Sequence, residues 1–240
     1  MILLKGVLLT CVLFLVPLPT FAQQDPGSLD VSLFRRINNG RSHFLDKVVE
    51  ANNSLVAPVA IATPLGFLFH GILVDNQDEV DAGTLLAVSE IISSGVGYGL
   101  KRIVKRDRPY VRLANVHFSS DESVDRYSFP SGHATSAFAI ATSLSLRYPK
   151  FYVFLPLHLW AFFVAYGRVY LGVHYPSDVL TGAALGSGTA IVVHLFREDI
   201  LRLKRKILGG SGDGDTSTES ATLNLTPVKG GFVFLYTYRF

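Results

Sequence analysis

The stretch LVAPVAIATPLGFLFHGILV, residues 55–74, contains no formally charged side chain. About 20 helical residues rising 1.5 Å each cross the ~30 Å hydrocarbon layer of a bilayer, so this stretch predicts a transmembrane helix. Pro58 and Pro64 fit that reading where neighbouring helices satisfy the backbone groups they free. The rest of the chain agrees. Of its 240 residues, 49% are hydrophobic and 17% are charged, against about a quarter charged in soluble domains. The formal net charge of +3 is too small for a polybasic nucleic-acid binder. The single cysteine, Cys11, excludes an intramolecular disulfide and a cysteine-based metal site.

Toward the N-terminus, residues 1–22 (MILLKGVLLTCVLFLVPLPTFA) have the form of a secretory signal peptide, with an uncleaved first membrane helix as the alternative. Either way the chain from Gln23 emerges outside the cytoplasm. Residues 23–54 place Val31, Phe34 and Ile37 at helical intervals among charges, which predicts an amphipathic, interfacial segment. Toward the C-terminus, an acidic turn (75–81) leads to further apolar segments at 82–103, 132–147, 151–169 and 177–196. That makes five membrane-length segments, or six with the first residues. A basic tail and a Ser/Gly/Asp-rich flexible linker occupy 197–221. Strict alternation of Phe232, Phe234, Tyr236, Tyr238 and Phe240 predicts a β-hairpin over 222–240. One hairpin cannot close a barrel. The fold class expected is therefore an all-α polytopic membrane bundle with an amphipathic N-terminal helix and a short C-terminal hairpin.

Alternation from an external residue 23 puts the 101–131 loop and the 167–177 turn on the outer side, and the basic tail after 196 inside, as the positive-inside tendency prefers. The acidic 75–81 turn inside and the basic 101–112 loop outside run against it, the latter unless its charges serve a function. Three polar sites thereby share one side. The first is KRIVKRDRP, residues 101–109, where Lys101 and Arg108 share a face if the segment is helical. Taken singly it reads as a basic patch attracted to anionic lipid. The second is SFPSGHA, residues 128–134. Pro130 and Ser131 can start a helix whose free N–H groups favour an anion, with Gly132 allowing close approach and His133 beside it. The third is GRVYLGVHYPSD, residues 167–178, in which Asp178 can accept from one nitrogen of His174 and free the other. Singly, each of the last two also reads as a helix cap.

Together these residues match the needs of phosphoryl transfer. Cations and N–H groups hold the equatorial oxygens, an oriented neutral histidine attacks phosphorus, and a second histidine protonates the leaving oxygen. No cluster of carboxylates offers a magnesium site, which favours a metal-free route through phosphohistidine and implies no cofactor. Arg102, Lys105, Arg106 and Arg112 read as solvated or as attracting anionic headgroups. His43, His70, His117, His158 and His194 lack a motif and read as structural. Glu90, inside a membrane segment, is of functional interest by default, yet the sequence names no partner for it.

The ordered set K-x6-RP (Lys101 to Pro109), PSGH (Pro130 to His133) and R-x5-H-x3-D (Arg168 to Asp178) resembles the three-part signature of the type 2 phosphatidic acid phosphatase superfamily, over about residues 55–196. The resemblance implies that His174 is the nucleophile, oriented by Asp178, and that His133 is the general acid. It implies that Lys101, Arg108, Ser131, Gly132 and Arg168 bind the phosphoryl group. One position departs: Gly167 stands where the family usually has serine, so a hydroxyl contact is expected to be missing. The motif contexts and the membrane segments look closer to the lipid phosphatases of bacterial cell membranes than to soluble acid phosphatases. The expected partners are a phosphorylated lipid substrate and the membrane, with the site facing the periplasm or exterior. A soluble periplasmic acid phosphatase and a non-catalytic membrane scaffold are the competing readings.

Overall fold

A computed structural model describes residues 27–118, 125–207, 221–228 and 231–238, so the signal-peptide reading of 1–22 and the linker residues 208–220 lie outside the described residues. The helices are α1 (Leu29–Asn38), α2 (His43–Leu73), α3 (Gln77–Val104), α4 (Pro109–Arg112), α5 (Gly132–Arg147), α6 (Phe151–Tyr170), α7 (Pro176–Leu195) and α8 (Arg197–Ile207). The chain divides into two compact units after Arg202. The second contains two antiparallel strands, β1 (Ala221–Val228) and β2 (Gly231–Tyr238), with Leu225 opposite Phe234.

Among the described residues, three helices are long and apolar enough to cross a membrane: α2, α6 and α7. Their outward faces carry large exposed apolar side chains, among them Ile61, Leu65 and Phe69 on α2 and Phe154, Leu159 and Phe162 on α6. Such continuous apolar surface needs a lipid environment. The segments read at 82–103 and 132–147 are also helical but differ in kind. α3 is 28 residues long and more polar, while α5 has 16 residues and is the most enclosed helix. α5 buries Ala134, Thr135, Ala137, Phe138, Ala139, Ile140 and Ala141, so its apolar character serves the bundle interior. The division placed between residues 54 and 55 falls inside α2. Ser42 caps that helix by accepting from the Leu45 N–H, and no breaker follows before Pro58.

α5 and α7 approach closely because α7 has Gly182 and Gly186 one turn apart on the contact. A Cβ at Gly182 would stand 2.6 Å from the Ser131 carbonyl oxygen, and one at Gly186 would overlap the Thr135 carbonyl outright. Small residues at this spacing let two helix backbones touch. The contact also sets the site, since the Ser131 N–H donates to the Asp178 carbonyl at 3.1 Å. Replacing Gly186 with leucine is therefore expected to destabilise the fold by about 3 kcal/mol and to separate the two helix ends. Thermal unfolding in detergent checks this against Gly66→Ala, where an added methyl meets nothing within 4 Å. Equal melting temperatures for the two variants would contradict the packing argument.

Candidate active site

Up-and-down packing brings the C-terminal ends of α3 and α6 and the N-terminal ends of α5 and α7 to one end of the bundle. At the other, Arg147 of α5 pairs with Asp78 of α3 at 3.3 Å. All three sequence motifs lie at the first end.

α3 stops where Lys105 adopts φ 51° and its N–H returns to the Lys101 carbonyl, a left-handed C-cap. Beyond it the chain is extended, with Asp107 bridged to Tyr127. Arg108 thus does not share a helical face with Lys101, because the helical condition of that expectation is not met beyond Val104. It reaches the site from the extended chain between α3 and α4. Arg108 is 2% exposed. Its Nε donates to the Asp125 carbonyl at 2.5 Å and its Nη1 to the Val173 carbonyl at 2.9 Å. Nη1 also lies 3.3 Å from His174 Nε2. Lys101 Nζ is 3.9 Å from Asp125.

His174 sits in the turn between α6 and α7. Gly172 makes that turn with φ +78°, and a Cβ there would stand 2.5 Å from the His117 carbonyl, so only glycine fits. The Val173 and His174 N–H groups both donate to the Arg168 carbonyl at 3.3 Å, which closes the turn. Asp178 occupies the first turn of α7. It accepts from the Tyr175 N–H at 2.8 Å and from Arg106 Nη1 at 2.6 Å. Its Oδ2 lies 3.6 Å from His174 Nδ1, beyond hydrogen-bond distance. Nε2 can accept from Arg108 only when the imidazole proton is on Nδ1, the nitrogen that faces Asp178. Burial, then Arg108, Arg168 and Lys101, hold the His174 imidazole well below its ordinary pKa, so the ring is neutral.

Arg168 is 2% exposed, and its Nη1 donates to Asn53 of α2. A Cβ on the neighbouring Gly167 would stand 3.1 Å from Val49 of α2. The glycine therefore gives α2 room, and α2 supplies Asn53 as a polar contact to Arg168. Ser131 caps α5, its Oγ accepting from the Ala134 N–H at 3.4 Å. Its own N–H is committed to the Asp178 carbonyl, so the expectation that this group holds an anion narrows to its hydroxyl proton. Gly132 is exposed, with nothing within 4 Å of where a Cβ would stand. His133, half-buried beside it, feels the charges of Arg168, His174, Lys101 and Arg108. Glu90 faces Ser136 of α5.

Two participants escaped the sequence reading. Arg106, read as solvated, is 9% exposed and bridges Asp178 to Asp30 of α1 at 2.6 Å each. Asp30 looked like an ordinary charge on an amphipathic helix. The only available signal was its place in the first turn of α1, just after the Ser28 cap.

A family model described as the PAP2 superfamily matches residues 82–202. The chain belongs to the PAP2 superfamily. The match encloses Lys101, Arg108, Ser131, Gly132, His133, Arg168, His174 and Asp178. An undecaprenyl-diphosphatase of Sulfolobus acidocaldarius is 36% identical over 44% of this chain and 50% of its own length. A lipid A 1-phosphatase of Rhizobium johnstonii is 33% identical over 44% of this chain and 43% of its own. The chain thus spans half or less of the length of these curated PAP2 relatives. The crystal structure of a transmembrane PAP2-type phosphatidylglycerolphosphate phosphatase from Bacillus subtilis superposes with TM-score 0.60 at 25% identity, over 82% of this chain and 96% of that one.

Proposed function

We propose that the protein is a phosphatase of lipid phosphates or diphosphates that works through a phosphorylated His174. The observation that carries the reading is the state of His174. Its ring is buried and neutral, with Nδ1 toward Asp178 and Nε2 directed at Arg108 among three cations. Lys101, Arg108 and Arg168 hold the phosphoryl oxygens, aided by the Ser131 hydroxyl and the Gly132 N–H. Nε2 forms a bond to phosphorus as the bond from phosphorus to the lipid oxygen breaks, and His133 gives that oxygen its proton. The bound dianion itself favours the protonated form of His133. Water then attacks the phosphohistidine, His133 takes the water proton, and inorganic phosphate leaves with His174 restored. Side-chain cations supply the countercharge, so the scheme needs no metal ion.

The named relatives act on undecaprenyl diphosphate, lipid A and phosphatidylglycerol phosphate, and this chain's substrate belongs to the same chemical class. The apolar faces of α2 and α6 favour a lipid substrate over a soluble one, because they hold the site at a bilayer surface. We place the protein in the cytoplasmic membrane of a bacterium, crossing it five or six times, with the site facing outward. Burial of Arg106 and Arg108 in the site supports this orientation, since the basic 101–112 loop then has a use on the outer side. The purified protein, assayed with EDTA on phosphatidic acid, phosphatidylglycerol phosphate, undecaprenyl diphosphate, lipid A and a soluble phosphomonoester, is expected to release phosphate from at least one lipid. Activity on the soluble ester alone, or loss of activity in EDTA, would overturn the reading.

A further inference from the structure

Asp178 is gripped by Arg106, a residue that the K-x6-RP motif spans but does not specify. Arg106 Nη1 donates to its Oδ1 at 2.6 Å and to Ser177 Oγ at 2.7 Å. Nη2 of the same guanidinium donates to Asp30 Oδ2 at 2.6 Å. Asp30 in turn accepts from the Ser177 N–H at 2.9 Å and from its hydroxyl at 2.7 Å. The guanidinium carbon lies 4.0 Å from the centroid of the Tyr175 ring. Its planar fork is thus held by two carboxylates at its edge and an aromatic ring on its face, an arrangement lysine cannot reproduce. The three charged partners come from α1, from the extended chain after α3 and from the first turn of α7. Phe34 of α1 adds a ring contact to Tyr175 at 5.7 Å between centroids. Asp30 and all of α1 lie outside the residues that match the PAP2 family, 82–202.

We infer that Arg106, locked by Asp30, is a positioning residue that fixes the Asp178 carboxylate toward His174 Nδ1, which makes α1 a working part of the catalytic apparatus. The inference rests on the phosphatase reading above. Its physical basis is the division of labour on Asp178. Oδ2 has the Tyr175 N–H as donor and faces His174, while Oδ1 is held by Arg106. Without Arg106 the carboxylate keeps the Tyr175 N–H and the Ser128 side chain, loses its cationic partner, and can turn more freely about its terminal torsion, a soft twofold coordinate. His174 would then lose the fixed negative charge that Asp178 Oδ2 holds 3.6 Å from its Nδ1. The Arg106 guanidinium is engaged by Asp178, Ser177 and Asp30, so its removal is a loss of alignment and not of anion binding.

The test compares full-length, detergent-purified Arg106→Met, Arg106→Lys, Asp30→Asn, Asp178→Asn and the Arg106→Met/Asp178→Asn double variant, on the lipid phosphate that the wild type hydrolyses best. Misalignment of this kind costs on the order of 10²-fold in rate. Arg106→Met is expected to lower kcat by about that factor, with KM and the inhibition constant of vanadate within about twofold of wild type. Asp30→Asn is expected to lower kcat by about tenfold, and Arg106→Lys to recover part of the loss. In the Asp178→Asn background, Arg106→Met should add less than about twofold, because a residue that acts through Asp178 has nothing left to position. Wild-type kcat in Arg106→Met and Asp30→Asn overturns the assignment, as does a rise in KM at constant kcat, or full additivity in the double variant. If Arg106→Met does not fold by thermal unfolding, Asp30→Asn, which exchanges one oxygen for an amide nitrogen, carries the test alone. A folded wild type that hydrolyses no lipid phosphate overturns the phosphatase reading and the assignment with it. An active wild type whose variants match it overturns the assignment alone.

Discussion

His174→Ala is expected to lower kcat for phosphate release by about 10⁴-fold or more, the scale on which nucleophile deletions act. It should also remove the phosphoenzyme that the wild type forms when quenched within one turnover, a bond labile to acid and stable to base. The size of the effect follows from the site. Lys101, Arg108 and Arg168 remain in the variant and still bind the phosphoryl group, so what disappears is the covalent step and not substrate binding. KM should therefore change far less than kcat. The same reading sets a pH dependence. Attack needs neutral His174, so competence is present above its pKa in the folded protein and lost as pH falls through it. Burial and the surrounding cations hold that pKa well below 6.5, so kcat/KM, which reports the free enzyme, should show no loss at pH 6.5 assignable to this group. A full rate in His174→Ala would exclude the covalent mechanism, and a nucleophile titrating at 6.5 would exclude the buried, cation-ringed geometry.

The parts of the site legible in the sequence are those that local rules dictate. Ser131 caps α5, and Asp178 stands one turn into α7, because helix starts have local signatures. The membrane stretch at 55–74 was legible because lipid permits little but an apolar helix. What stayed hidden depends on contacts between distant segments. The loop after residue 103 is legible, but Lys105 has no sequence feature that announces a left-handed residue, so the turn that takes Arg108 off a helical face shared with Lys101 is not. Arg106 and Asp30 are charged residues on polar segments, and such residues are solvated by default. Only the folding of α1 against the turn at Tyr175 turns them into a buried bridge. Gly167 is a similar case. From sequence it marks a missing hydroxyl, whereas in the fold it accommodates Val49, one helical turn from the Asn53 that contacts Arg168.

The second large effect expected is on leaving-group dependence. His133→Ala should slow phosphoenzyme formation by about 10²- to 10⁴-fold, the range typical of a general acid, and the factor should vary with substrate. An alkoxide leaving from a lipid monophosphate is strongly basic and needs a proton in the transition state. The phosphate monoester leaving from a lipid diphosphate is weakly basic and departs nearly unaided. An aryl phosphate resembles the diphosphate in this respect. The defect should thus be largest on a phosphatidic acid type of substrate and small on the diphosphate or aryl ester, while His174→Ala is equally defective on all three. Position supports this separation of roles. His133 lies in the first turn of α5, half-buried and within electrostatic reach of His174, Arg168, Lys101 and Arg108, whereas His174 is enclosed at 2% exposure. The more accessible imidazole can meet both the leaving oxygen and the water that later attacks the phosphohistidine, as a general acid and base must. Single-turnover rates on the three substrates check the argument. A His133→Ala defect of the same size on all of them would mean that His133 binds the phosphoryl group and does not protonate the leaving oxygen.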